Sequence, residues 1–200
     1  MNAARFPPAF VARPLLAFTI LTVALPAITG CAGLVVPLAV QGTLYAVDRR
    51  SAGAKLNDQT IELKILTAAG TKWGNDIHLN VTSYNGVILM TGEAPSQAIR
   101  DEIAQLAKDT VPVRSVHDEM VIGPVTDLGA RSNDTLITSK VKARFAEADK
   151  VPVTAVTVVT ERSVVYLMGI VSREESADAA LLASTTSGVV RVVKLFEYTN

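Results

Sequence analysis

Two stretches of this chain repeat one another, and a repeat of this length leaves few folds open. Val87-Ile88-Leu89-Met90-Thr91-Gly92 matches Val164-Val165-Tyr166-Leu167-Met168-Gly169, Val81 matches Val158, and Val113-Arg114-Ser115-Val116 matches Val190-Arg191-Val192-Val193, all at an offset of 77 residues. Asp58-Gln59-Thr60-Ile61 matches Asp134-Thr135-Leu136-Ile137 at an offset of 76. The chain is therefore read as two copies of one unit of about 70 residues, a size at which one small domain can close its own core.

Each copy has the same order of elements. A helix begins near Asn57 or Asp58, with Ile61 and Ile65 on one face; the second begins at Asn133, with Ile137, Val141 and Phe145 spaced i, i+4, i+8. Two strands follow, marked by the alternation of Ile77, Leu79 and Val81, and of Val156 and Val158. Asn85-Gly86 is a two-residue hairpin signal. Glu161-Arg162-Ser163 is a weaker one and suggests a longer turn. An alanine-rich helix runs over Ser96–Lys108 and again over Arg173–Thr186, and a last strand over Ser115–Ile122 and Val189–Tyr198. Gly92 and Gly169 read as turn residues with positive φ. Arg114 and Arg191 read as equivalent strand positions suited to structural pairing. The pattern α-β-β-α-β predicts an α+β fold: two tandem domains, each a three-stranded mixed sheet covered on one face by two helices. The second and third strands are parallel, through a right-handed crossover.

The N-terminus has a different character. Arg5 and Arg13 precede an apolar run from Leu15 to Ala27, then Ile28-Thr29-Gly30-Cys31, which holds the only cysteine. Basic residues, an apolar stretch and small residues at the cut describe a signal peptide. The last four residues resemble the lipobox of a bacterial lipoprotein, in which Cys31 carries a thioether-linked diacylglyceryl unit and an N-acyl group such as palmitate. A buried core cysteine and a membrane span over Leu15–Val40 are the alternatives; Pro26, Gly30, Gly33 and Pro37 interrupt such a span. Ala32, where an aspartate would favour inner-membrane retention, points to the outer membrane, facing the periplasm. The expected organisation is 1–30 signal peptide, 31–54 lipidated tether, 55–123 first domain, 124–131 linker and 132–200 second domain. Residues 32–47 are either a tether or a segment packed back on a domain, and Asp48–Gly53 is a flexible exit from it. Of 19 Lys and Arg, two fall in residues 1–30, leaving 17 against 19 Asp and Glu. That balance gives no basic domain for nucleic acid.

The repeat, the glycine closing each second strand and the arginine near each third strand resemble the BON-domain family. Asp48-Arg49-Arg50-Ser51, Asn80-Val81-Thr82-Ser83-Tyr84 and Ser132-Asn133-Asp134-Thr135 add to that resemblance, as does Leu167-Met168-Gly169. Two such copies behind a lipobox are similar to the outer-membrane lipoproteins of that family. The resemblance implies binding of anionic phospholipid (phosphatidylglycerol, cardiolipin) through the second domain, and a role in outer-membrane integrity and at division sites.

The residues offer a face for that contact. The second copy's first helix carries Lys140, Lys142 and Arg144 within five residues. At 100° per residue, Leu136, Ser139, Lys140 and Ala143 point away from the core direction. The candidate lipid contacts are therefore Asn133, Leu136, Ser139, Lys140, Lys142, Ala143 and Arg144. The first copy has Thr60 where the second has Leu136. The resemblance implies a tryptophan there; leucine lacks the ring that favours the interface. The alternative is a solvated basic face on an adaptor that contacts outer-membrane assembly or other envelope proteins through its sheet or through Trp73. The spacings hold no catalytic constellation: no acid–base pair, nucleophile elbow or phosphate loop. His78 and His117 fall in different elements with no partner in the sequence, so neither a metal nor a cofactor is expected beyond the acyl groups.

Overall fold

A computed structural model describes residues 48–199. The signal peptide, Cys31 and the tether through residue 47 lie outside them. The described residues fall in one compact unit that contains both repeats.

In the first copy, α1 spans Ala52–Trp73, β1 His78–Tyr84, β2 Val87–Ala94, α2 Gln97–Asp109, β3 Ser115–Asp118 and β4 Val121–Ile122. In the second, α3 spans Leu128–Ala148, β5 Val156–Glu161, β6 Val164–Val171, α4 Arg173–Ser184 and β7 Arg191–Tyr198. β2 pairs antiparallel with β1 and parallel with β3; β6 does the same with β5 and β7. β4 continues the line of β3 along β2, so the expected last strand is present but interrupted at Glu119-Met120. On the helix side of each sheet lies a separate core, around Ile61, Ile65, Ile88, Met90 and Ile103 in one copy and Ile137, Val141, Phe145, Val165 and Leu167 in the other.

Both first helices start earlier than their spacing suggests. Ser51 caps α1 and Asp127 caps α3. Leu128–Arg131 are thus helical rather than linker. Asp58 and Asp134, which have the composition of N-caps, are instead buried within the helices and reach across to the hairpins. Asp58 accepts the backbone N–H groups of Asn85 (2.8 Å) and Gly86 (2.8 Å) and the Ser83 hydroxyl (2.6 Å). Asp134 accepts the N–H groups of Arg162 (2.8 Å) and Ser163 (2.8 Å). Each carboxylate fastens a turn whose amides no strand can satisfy. Arg162-Ser163 is consequently the same tight two-residue turn as Asn85-Gly86, all four residues at positive φ, and not a longer loop.

Three further expectations are corrected. Gly92 and Gly169 lie inside strands rather than at turns. A Cβ on Gly92 would meet the His78 carbonyl oxygen at 2.0 Å, and one on Gly169 the Ala155 carbonyl oxygen at 2.4 Å. They permit a close strand approach, with positive φ at Gly92 alone of the two. The third strands align at 76 rather than 77: Ser115 pairs with Val87 and Arg191 with Val164. Val116 therefore corresponds to Val192, both helix-facing, and Arg114 corresponds to Val190. A one-residue slip exchanges the two faces of a strand, so the sequence match misplaced the side chains. Asp48–Gly53 is not a flexible exit. Arg50 bonds Asp48 (2.8 Å) and Asp58 (2.9 Å) and stacks over the Tyr84 ring at 4.0 Å, while Arg49 clasps Glu175 of the second copy at 2.7 Å.

The copies are not beads on a linker. Their uncovered sheet faces meet in a third apolar layer of Tyr84, Leu89, Tyr166 and Met168, flanked by Val159, Val193 and Leu195. Polar bonds ring it. Arg114 pairs with Glu197 (2.9 Å), Arg191 approaches Glu119 (3.6 Å), and Asn80 donates to Glu161 (2.8 Å). The architecture is helices, sheet, sheet, helices.

Two predictions follow from the buried aspartates. Asp134→Ala strands two turn amides that bond a charged acceptor, and should cost about 3 kcal/mol by urea denaturation; Asp134→Asn, which keeps one acceptor, should cost less. The second concerns acid. Burial works to raise the Asp48 carboxyl, but hydrogen bonds from Arg50 and its charge outweigh this and hold it at about 2. Burial works to raise Asp58 as well, but bonds from Ser83, Gly86, Asn85 and Arg50 overcome it, and its carboxyl too is lowered. Both stabilise the fold as anions. Their contribution is complete above pH ~4, where unfolded aspartates ionise, and is lost as the pH falls towards 2. The urea midpoint should drop across that window, and Arg50→Ala should shrink the drop.

Candidate membrane-contact face

Helix α3 buries one stripe, Asp134, Ile137, Val141 and Phe145, against its own sheet. The opposite side is free. Leu136 is 60% exposed, and Asn133, Ser139, Lys140, Lys142 and Ala143 are exposed around it. Leu136 belongs to none of the three apolar cores of the described residues. Neither Lys140 nor Lys142 pairs with a carboxylate among the described residues. Glu147, also exposed, ends the same face. Leu128, at the first turn of α3 and exposed, adds a second leucine that a helix start at residue 133 had hidden.

Arg144 does not belong with this group. It is half-buried, and its Nη1 donates to the Leu182 carbonyl (2.6 Å) and the hydroxyls of Thr185 (2.8 Å) and Thr186 (3.1 Å). It closes the C-terminal end of α4, where carbonyls lack helical partners and a cation is favoured. Two free cations remain of the three counted from the sequence.

The first copy is less plain than expected. Thr60 is exposed as anticipated, but α1 also exposes Leu56 (64%) and Leu63 (66%), one heptad apart, with Leu66 beside them. Comparing only the position equivalent to Leu136 overlooked them; reading α1 at a 3.6 period from Ser51 would have found them. The sheet face offered as an adaptor surface is occupied by the other copy. Trp73 packs on the first core and carries Lys72 over its ring at 4.7 Å. His78 acquires the partners it lacked in sequence: the Glu93 and Glu161 side chains surround it.

The BON-domain family model matches this chain twice, over residues 57–124 and 133–200. The chain belongs to the BON-domain family. Among curated BON relatives, Outer membrane lipoprotein DolP of Haemophilus influenzae is 31% identical over 92% of this chain and 97% of its own length. The 21 kDa hemolysin of Actinobacillus pleuropneumoniae is 30% identical over 76% of this chain and 79% of its own. Osmotically-inducible protein Y of Escherichia coli is 31% identical over 57% and 58%. The chain is thus an outer-membrane-associated BON protein with two copies in tandem. No helix among the described residues is long and apolar enough to cross a membrane.

Because Leu136 and Lys140 are exposed and lie outside the cores, Leu136→Glu and Lys140→Glu should leave unfolding within about 0.5 kcal/mol of the parent. Arg144→Ala should cost about 1–2 kcal/mol, since it removes the charged donor from the Leu182 carbonyl and the Thr185 and Thr186 hydroxyls. Urea denaturation of the three variants checks both.

Proposed function

We propose that this protein is a lipid-anchored outer-membrane lipoprotein, facing the periplasm, that binds anionic phospholipid through α3 of its second BON domain. Cys31 is the attachment point for the diacylglyceryl and N-acyl groups, and the chemistry needs no other cofactor. The observation that carries the reading is the exposed Leu136 with Lys140 and Lys142 beside it, neither paired with a carboxylate among the described residues. A branched apolar side chain reaches the acyl boundary while ammonium groups meet head groups. Each such lysine is worth about 1 kcal/mol at an anionic surface, so two give about 2 kcal/mol. That is weak in free solution and sufficient once acylation holds the domain beside lipid. Asn133, Ser139 and Ala143 complete the surface without charge. The fold's service is then to outer-membrane integrity, with the division site as one place of action, and it is not catalytic.

The test keeps both domains, because an isolated second domain would bare the apolar layer between the sheets and bind vesicles for that reason alone. At millimolar lipid, residues 48–200, which keep both domains and leave out the apolar N-terminal run, should co-sediment with vesicles containing phosphatidylglycerol or cardiolipin and not with phosphatidylcholine alone. Leu136→Glu and Lys140→Glu should each lower binding at least fivefold, and Arg144→Ala, if folded, much less. Equal co-sedimentation of all variants would remove the proposal.

A second reading rests on Leu56, Leu63 and Leu66, an exposed apolar ridge with little charge. Such a ridge suits a protein partner in the envelope. Cross-links to an envelope protein lost in Leu56→Glu/Leu63→Glu but retained in Leu136→Glu would favour it.

A further inference from the structure

We infer that His78, Glu93 and Glu161 form a zinc-binding site between the two BON domains, with one ligand from the second domain and two from the first. His78 opens β1, Glu93 lies opposite it on β2, and Glu161 ends β5 of the other copy. His78 Nδ1 stands 3.0 Å from Glu93 Oε2 and 3.9 Å from Glu161 Oε1, and the three candidate ligand atoms lie within 4.8 Å of one another. Ligands about 2.1 Å from one tetrahedral zinc ion sit about 3.4 Å apart. His78 Nδ1, at 3.0 and 3.9 Å from its two partners, brackets that spacing, and rotation of the carboxylates closes the set. Imidazole nitrogen with two carboxylates is a donor set zinc accepts, and it leaves a fourth position for water. A cavity of about 360 Å³, lined by His78, Glu161, Asn80 and Thr138 among others, supplies the approach and room for that water.

Glu161 gives an independent sign. It is 5% exposed, yet both of its hydrogen bonds, from Asn80 (2.8 Å) and Thr91 (3.3 Å), land on Oε2. Oε1 takes none among the described residues; its charged neighbour is His78. Oε1 thus opens to the cavity with no donor of its own, which leaves it available to a cation that enters there. Glu93, with no exposed surface, is already held by the Thr126 amide (3.1 Å) and hydroxyl, and its Oε1 has Arg162 at 3.5 Å. Those contacts fix it as an oriented ligand in the manner of an outer-shell support. Arg131, also at the cavity, donates its Nε–H to the Thr126 carbonyl (3.0 Å). Zinc would take the Nδ1 lone pair with the ring proton on Nε2, and the Asn80 amide nitrogen 3.4 Å away, itself a donor, makes no bond to that proton.

The repeat provides an internal control. β1–β2 and β5–β6 align at 77, so His78, Glu93 and Glu161 correspond to Ala155, Ile170 and Tyr84. At that twin position the Tyr84 hydroxyl approaches the Ala155 carbonyl across the same interface, at 3.4 Å. The fold closes there with apolar and phenolic side chains. The histidine and carboxylates are therefore not what this corner of the interface requires for packing.

The test uses the full chain carrying Cys31→Ser in detergent, without a polyhistidine tag, so that no thiol can take zinc. After dialysis against micromolar Zn²⁺, the parent should retain one zinc per chain, and its thermal midpoint should rise with zinc. His78→Ala, which the twin position already tolerates, and Glu161→Gln should each weaken zinc binding at least tenfold and abolish the rise; His117→Ala should change neither. Undiminished zinc in His78→Ala and Glu161→Gln, or none in the parent, would overturn the site. X-ray absorption on the zinc-loaded parent decides the matter even if a variant fails to fold. One imidazole with oxygen ligands supports the assignment; sulfur or two imidazoles refute it.

Discussion

The layer between the two sheets is the constraint on which this structure depends. Each BON copy covers one sheet face with its helices and leaves the other bare. A bare face that presents Leu89 or Tyr166 and Met168 cannot stay in water without loss, because burial of one such side chain is worth about 2 kcal/mol. Placing the two faces together removes both liabilities. It also explains why the central strands β2 and β6 are buried nearly end to end. Everything polar at the seam follows: Arg114 on Glu197, Asn80 on Glu161, Arg49 on Glu175. These side chains reach across because the apolar layer has already brought the sheets within range.

A second device holds each half in shape. The helix that opens each copy sends one aspartate through the domain to the hairpin turn. The carboxylate thus couples the first helix to the first two strands, elements whose contacts are otherwise apolar and tolerant of sliding. A charged acceptor aimed at two specific amides fixes their register. In the first copy Arg50 then neutralises the same aspartate and lies over Tyr84, which itself belongs to the layer between the sheets. The strap Asp48–Arg50 therefore joins the helix clamp to the seam.

Much of this was legible. The repeat, the element order, both helix pairs and the strand pairing were visible in the hydrophobic spacing, because each copy keeps its own core. The helix starts were not, since an aspartate ahead of an isoleucine looks like a cap whether its side chain turns back to its own helix or crosses to a hairpin. The third-strand alignment failed because Val-Arg-Ser-Val and Val-Arg-Val-Val match by letter while the backbone places them one residue apart. The meeting of the sheets had a signal that went unused. Val-Ile-Leu-Met and Val-Val-Tyr-Leu-Met are unbroken apolar runs, as strands covered on both sides require. On the candidate contact face, periodicity placed Leu136, Lys140 and Lys142 outward. It could not tell that Arg144, on the flank of the helix, bends to the end of α4. The grouping of His78 with Glu93 and Glu161 depends on the packing of one copy against the other, which no local pattern encodes.

The shared layer makes the chain, in effect, a dimer with its subunits joined in series. A lone copy would have to meet a mate by diffusion, whereas fusion holds the mate at a millimolar effective concentration. Covalent pairing also relaxes symmetry. Two separate identical subunits must change together at both ends of their contact, but tandem halves drift independently, so one end of the seam can keep tyrosine and alanine while the other accumulates histidine and glutamate.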